Sequence, residues 1–283
     1  VTRLHVTPQK APLYGAFLFW ALICPAIVSS PSATGRELPG GPAVQVAYVI
    51  DGDTIALRDR RHVRLIGINA PELGHPCRDA PTRATTPGCR PTTDEPLAQE
   101  ARHLLQSLVD SQAVTLVPDT ETQDHYGRTL AYLRLADGSD PGERLLERGL
   151  ASAIAVPPNL QRLARYQAIE TQARQARRGL WDLPYYAAVP ADRLPADATG
   201  YRWVRGRVSR IGRSQKYVYL DLGPRLSLRV ARDDWERYFS YAPDSLLHRE
   251  IEARGWISAH DGKQHLRVQH AAMLTRLPEA PPW

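Results

Sequence analysis

From Val44 onward, apolar side chains fall on every second position: Val44, Val46, Tyr48 and Ile50. That is the period of a strand with one buried face. Asp51-Gly52-Asp53 supplies a turn, and Thr54-Ile55-Ala56-Leu57 a returning strand. A third strand-like run, Val63 to Ile68, ends at Pro71. The rhythm becomes helical between Leu97 and Val109, with Leu104, Leu105 and Leu108 on one stripe. Val114 to Val117 and Leu130 to Leu135 are strand-like again, the latter turning at Asp137-Gly138. A short helix over Glu143 to Arg148 stops at Gly149, and a longer one over Leu160 to Arg177 stops at Gly179. The pattern predicts an α+β unit of five strands and three helices over residues 44–183.

Residues 184–200 contain Pro184, Pro190, Pro195 and Gly200 with few large apolar side chains, the composition of a linker. Strand-like runs resume over Trp203 to Val208, Tyr217 to Leu222, Leu226 to Val230, Ile251 to Ile257 and His265 to Val268, with a helix around Arg232 to Tyr241. Five short strands and one helix predict a second, small, mainly-β domain of the OB kind over residues 201–278.

The first residues follow neither pattern. Arg3 and Lys10 precede an apolar run from Leu13 to Val28, and Ser29, Ser30, Ser32 and Ala33 come after it. Basic, then apolar, then small is the plan of a signal peptide, here residues 1–33. The run is short for a membrane span of about 20 apolar residues. A secreted or periplasmic protein is expected, without stable membrane association once the peptide is removed; an uncleaved anchor is the alternative. Export changes the reading of the cysteines. Cys77 and Cys89 remain, close together in a loop rich in Pro, Thr and Arg, and predict a disulfide. It would stabilise by roughly 3 kcal/mol in the chain-entropy model. A metal site with His75 would lack the four clustered ligands of a structural zinc.

The formal charge is +6 over 283 residues, and its placement says more than its size. Residues 34–200 hold 19 basic and 21 acidic side chains, whereas residues 201–283 hold 15 and nine. Between Tyr201 and Lys216 six basic residues stand without an acidic one, interleaved with Tyr201 and Trp203, then followed by Tyr217 and Tyr219. Two arrangements give such a pattern. Cations and rings can line a single-strand nucleic-acid groove, or the aromatics can face a core while the arginines face water.

Chemistry concentrates in the first unit. Asp51-Gly52-Asp53-Thr54 sits at a turn, where carboxylates can share a centre; Asn69 and Glu72 follow the strand that carries Arg64; Arg128 closes Asp124-His125-Tyr126-Gly127-Arg128. Hydrolysis of a phosphodiester needs a cation on the phosphate, a group that activates water, and donors for the growing negative charge. Asp and Asn oxygens suit Ca2+, and arginines grip phosphate as bidentate donors.

Asp51-Gly-Asp-Thr54, Arg64-Leu-Ile-Gly-Ile-Asn-Ala-Pro-Glu72 and Tyr126-Gly-Arg128, in that order and spacing, resemble the signature segments of the staphylococcal nuclease family. The likeness runs from about Val44 to Asp182 and includes Arg178-Gly179-Leu180-Trp181. It implies a five-stranded OB-type β-barrel with three helices, one bound Ca2+, and cleavage of DNA or RNA. Matched position by position, Asp53, Asn69 and the Ala70 carbonyl correspond to metal ligands. Arg64 and Arg128 correspond to the phosphate-gripping arginines, Glu72 to the carboxylate that serves the attacking water, and Tyr126 to a tyrosine beside the substrate phosphate. Two departures stand out. Asn69 replaces the family's usual aspartate, removing one negative charge from the metal site. Ile154 and Val156 stand where the best-known member carries substrate-contacting tyrosines. The expected protein is a monomeric, exported, calcium-dependent endonuclease; the alternative is a non-catalytic tandem-OB protein that binds nucleic acid.

Overall fold

The computed structural model describes residues 1, 40–74, 92–110, 112–260 and 262–278. The expected signal peptide beyond its first residue, His75 and the Cys77–Cys89 pair lie outside them.

Strand β1 (Ala43–Asp51) leads into β2 (Thr54–Leu57), β3 (His62–Leu65) and the two-residue β4 (Ile68–Asn69). Helix α1 (Ala98–Val109) precedes β5 (Ala113–Val117) and β6 (Thr129–Arg134); α2 (Pro141–Glu147), β7 (Ser152–Ala153) and α3 (Leu163–Gln175) follow. The strands close a barrel in the order β1-β2-β3-β6-β5. Closure depends on β1, which pairs with β5 through Ala43–Gln45 and with β2 through Val46–Asp51. Register shifts between Val46 and Tyr48 and between Val49 and Asp51 mark irregularities of the bulge type, which bend a strand enough to serve two neighbours. Ile55, Val63, Leu105, Val114, Val117 and Leu133 are wholly buried in its core. Each such side chain contributes about 1.5–3 kcal/mol through burial.

The third predicted strand, Val63 to Ile68, is broken rather than continuous. Gly67 has φ +79°, a left-handed conformation that costs a residue with a Cβ, and it turns the chain after Leu65. The break sends Ile68–Asn69 across to pair with β7 instead of onward along β3. Asn69 is thereby folded back toward Arg64.

Residues 184–200 carry two 3-10 turns and strand β8 (Val189–Pro190). Beyond them lie β9 (Gly200–Arg207), β10 (Arg210–Arg213), β11 (Tyr217–Asp221) and β12 (Leu226–Ala231). Helix α4 (Arg232–Tyr238), β13 (Glu250–His260), β14 (Lys263–Arg267) and the short β15 (Leu274–Arg276) complete the chain. The sheet order is β10-β11-β12-β14-β13-β9-β8. Strands β9 and β10 are separated only by Val208 and Ser209, so one bent stretch of chain carries both ends of the path from β10 to β9. The result is a second mainly-β unit with the strand order of the first.

Both units belong to one body, residues 36–283. Ile154, Ala155 and Leu163 pack into the core of the second unit, and Leu180, Tyr186 and Trp203 form a small cluster of their own. Between α3 and β13, Arg254 grips Glu170 with two bonds, Nη1 to Oε1 at 2.5 Å and Nη2 to Oε2 at 2.8 Å. Glu170 Oε1 also accepts from the Ala153 N–H at 3.2 Å, so one buried carboxylate ties β7, α3 and β13 together.

Candidate active site

The site is built where β1, β3 and β4 meet. The Asp51-Gly52-Asp53 turn packs against Ala70 and α1 so closely that a Cβ on Gly52 would lie 2.6 Å from Ala70 Cβ and 2.7 Å from Ala101 Cβ. Only glycine permits that approach. It places Asp53, 3% exposed, under the strand end: Oδ2 accepts from the Ala70 N–H at 2.8 Å, and Oδ1 accepts from Thr54 Oγ1 at 3.1 Å. Arg64 reaches the same point. Its Nη2 pairs with Asp53 Oδ2 at 3.0 Å and lies 3.4 Å from Asn69 Oδ1, while Nη1 donates to the carbonyls of Leu65 and Ile68 at 2.6 and 3.0 Å. Asp53, Arg64, Asn69 and Ala70 are thus brought together.

Burial and the Arg64 guanidinium pull the Asp53 carboxyl in opposite directions. Burial pushes the Asp53 carboxyl up to about 7 against the pull of Arg64, and the carboxylates of Asp51 and Glu72 push in the same direction as burial. Oxygen donors of this kind match the chemistry of a hard divalent ion, whose charge would offset the cost of burying the carboxylate. Among the described residues no three His, Cys, Asp or Glu side chains converge on a metal-binding point. The side-chain oxygens gathered here are a buried carboxylate, Asp53, and an amide, Asn69, both facing Arg64, so their combined charge is low.

Glu72 is exposed, and its backbone is fastened. Its N–H donates to Glu95 Oε2 at 3.0 Å and its carbonyl accepts from the Glu95 N–H at 2.9 Å. Glu95 in turn accepts from Tyr185 Oη at 3.1 Å and lies 3.7 Å from Arg202 Nη1 of β9. Glu95 had no mark in the sequence, because its partner is 23 residues away and no local spacing relates the two.

Arg128 comes from the turn before β6. Asp124 organises this turn, accepting from the N–H groups of Tyr126 and Arg128, both at 2.9 Å, and from Arg128 Nε at 2.7 Å. Burial alone would raise the Asp124 carboxyl, but the Arg128 guanidinium and these N–H groups outweigh it and hold it below its ordinary value. Tyr126 is 75% exposed, with the Arg128 guanidinium 5.6 Å from its ring centre. Asp124 was legible in principle, since an Asx side chain capping the residues two and four positions on is a local motif.

Arg64, Tyr126 and Arg128 line one cleft of about 510 Å³ with Ile154 and Val156. Its remaining wall includes Trp256, Arg267 and Gln269 of the second unit. The basic stretch after Tyr201 takes the second of the two arrangements expected for it at its start: Trp203 is buried, the Tyr201 hydroxyl is enclosed, and Arg205, Arg207, Arg210 and Arg213 are exposed. Arg210 and Arg213 are paired with Asp221 and Asp244. No helix among the described residues is long and apolar enough to cross a membrane.

A family model described as staphylococcal nuclease homologue matches residues 62–183. The thermonuclease of Staphylococcus hyicus is 31% identical over 140 residues, which are 48% of this chain and 74% of that protein. The thermonuclease of Staphylococcus intermedius is 32% identical over 146 residues, 50% and 77% of the two chains. Endonuclease YhcR of Bacillus subtilis is 24% identical over 198 residues, 65% of this chain and 15% of that protein. Identity above 30% along about three quarters of a relative, on a closed barrel of five strands, makes this chain a member of the staphylococcal nuclease family.

Proposed function

We propose that the protein is an exported, calcium-dependent nuclease that hydrolyses phosphodiester bonds in DNA or RNA. The observation that carries the reading is the convergence of Arg64, Asp53, Asn69 and Ala70 at one strand end, with Arg64 and Arg128 opening on the same cleft. Export rests on the basic, apolar and small-residue order of residues 1–33.

Asp53, Asn69 and the Ala70 carbonyl would hold Ca2+, which would supply Lewis-acid polarisation of the phosphate and part of the charge it needs. The chain's own groups do the rest. Arg64 and Arg128 donate to the nonbridging oxygens as negative charge grows there. Glu72 accepts a proton from the attacking water, its backbone held in place by Glu95. Tyr126, exposed beside Arg128, donates its hydroxyl to the bound phosphate.

Cleavage of single-stranded DNA, measured with Ca2+ and with chelator, tests this. Calcium-dependent cutting is expected, reduced about 10²–10⁴-fold by Glu72→Gln and about 10²–10³-fold by Arg128→Ala. DNA that is bound but uncut with every divalent ion would overturn the reading in favour of a tandem-OB binding protein.

A further inference from the structure

The cleft that the two arginines line also takes residues from the second unit, and these have a chemistry of their own. Trp256 on β13 and Arg267 on β14 are directly opposed in antiparallel register, so their side chains leave the same face of the sheet. Trp256 is 41% exposed although its neighbours Gly255 and Ile257 are buried. Its ring is braced edge-on by Tyr201, with centroids 4.9 Å apart, and Tyr201 is its cross-strand partner on β9. A large apolar ring fixed by its neighbour and left open to a cleft is a preorganised stacking surface. Arg267 is exposed beside it, and Asp234 is an acidic group within its electrostatic reach. The first unit gives this cleft the aliphatic Leu130, Ile154 and Val156, with His125 and Tyr126 as its rings.

We propose that Trp256 and Arg267 form a nucleotide subsite of this cleft: the indole stacks on a base flanking the scissile phosphate, and the guanidinium takes a neighbouring phosphate. The subsite selects single-stranded nucleic acid, because a base inside a duplex has both faces already stacked. This rests on the proposed nucleic-acid substrate, and it gives the second unit a direct part in holding it. Deleting that unit would be an unsuitable test, since Ile154, Leu163 and Leu180 would lose their cover.

Binding of a labelled thymidine oligonucleotide and of an abasic strand with the same phosphates, measured on the full chain in chelator, decides the matter. Trp256→Ala is expected to weaken binding of the thymidine strand about tenfold, Trp256→Phe to recover most of the loss, and the abasic strand to bind parent and Trp256→Ala alike. Arg267→Ala is expected to weaken both strands and to lower the slope of log K against log salt by about 0.7. Unchanged thymidine binding by Trp256→Ala, or an equal loss on the abasic strand, would overturn the subsite. The assay needs no cutting. A parent that binds but never cuts refutes the nuclease reading alone; a cutting parent whose Trp256→Ala form binds normally refutes the subsite alone. A parent that binds neither strand overturns the subsite together with its substrate.

Discussion

The two barrels of this chain are the same frame filled twice. In each, a bent first strand serves two neighbours, the third and fifth strands pair in parallel, and a helix lies between the third and fourth. The turn between the first two strands holds two residues in both. In the first barrel it is Gly52-Asp53 between Asp51 and Thr54; in the second it is Gln215-Lys216 between Ser214 and Tyr217. Thr54 stands opposite Arg64, and Tyr217 stands opposite Ala231. Where the first barrel puts a carboxylate and an arginine, the second therefore has a lysine and an alanine. A shared fold carries no shared chemistry, because the frame requires only the alternation of core residues and leaves turn and strand-end residues free.

If the second barrel is instead fused to the first as a structural partner, breaking the seam should cost most. Glu170→Ala leaves Arg254 buried without its partner and the Ala153 N–H without an acceptor, and is expected to lower stability by about 3–5 kcal/mol in urea unfolding. The exposed Arg213–Asp244 pair serves as control, with Asp244→Ala expected to leave the urea midpoint close to the parent's. Equal effects would mean that the barrels are separable.

The two turns give a sharper contrast. Gly52→Ala forces a Cβ into Ala70 and Ala101, so a loss of about 1–3 kcal/mol is expected together with loss of cleavage. Gln215→Ala, at the corresponding exposed position of the second barrel, should change thermal stability by less than about 0.5 kcal/mol and leave cleavage alone. Matching effects at the two turns would show that the chemistry does not reside in the first.

The smallest effect concerns charge. Asn69→Asp adds a negative donor beside Asp53 and is expected to lower the Ca2+ concentration for half-maximal cleavage about tenfold, since ligand charge tunes such sites. An unaltered calcium titration would remove Asn69 from the metal site.

Much of this was legible in the order of residues. The barrel strands announce themselves by alternation, because a strand with one buried face must repeat every second residue. Asp53, Arg64, Asn69 and Glu72 sit within two short segments joined by a few residues, so their spacing could be recognised directly. The break at Gly67 was not legible, since an apolar run through Ile68 reads as one strand until the left-handed glycine turns it. Nor could the role of Trp203 be told from that of Trp256: both are tryptophans on strands near arginines, and only packing shows one enclosed against Leu180 and Tyr186 and the other open to the cleft.

The sequence by itself determined the element types, the strand periodicity and the residues that could do phosphodiester chemistry, because these depend on local conformation and on side-chain type. The tertiary structure alone decided what faces those residues. Glu95 on the backbone of Glu72, Glu170 on Arg254, and Trp256 with Arg267 lining one cleft with Arg128 are meetings of distant segments. Such meetings are set by how segments far apart in the sequence pack together, which no local pattern encodes.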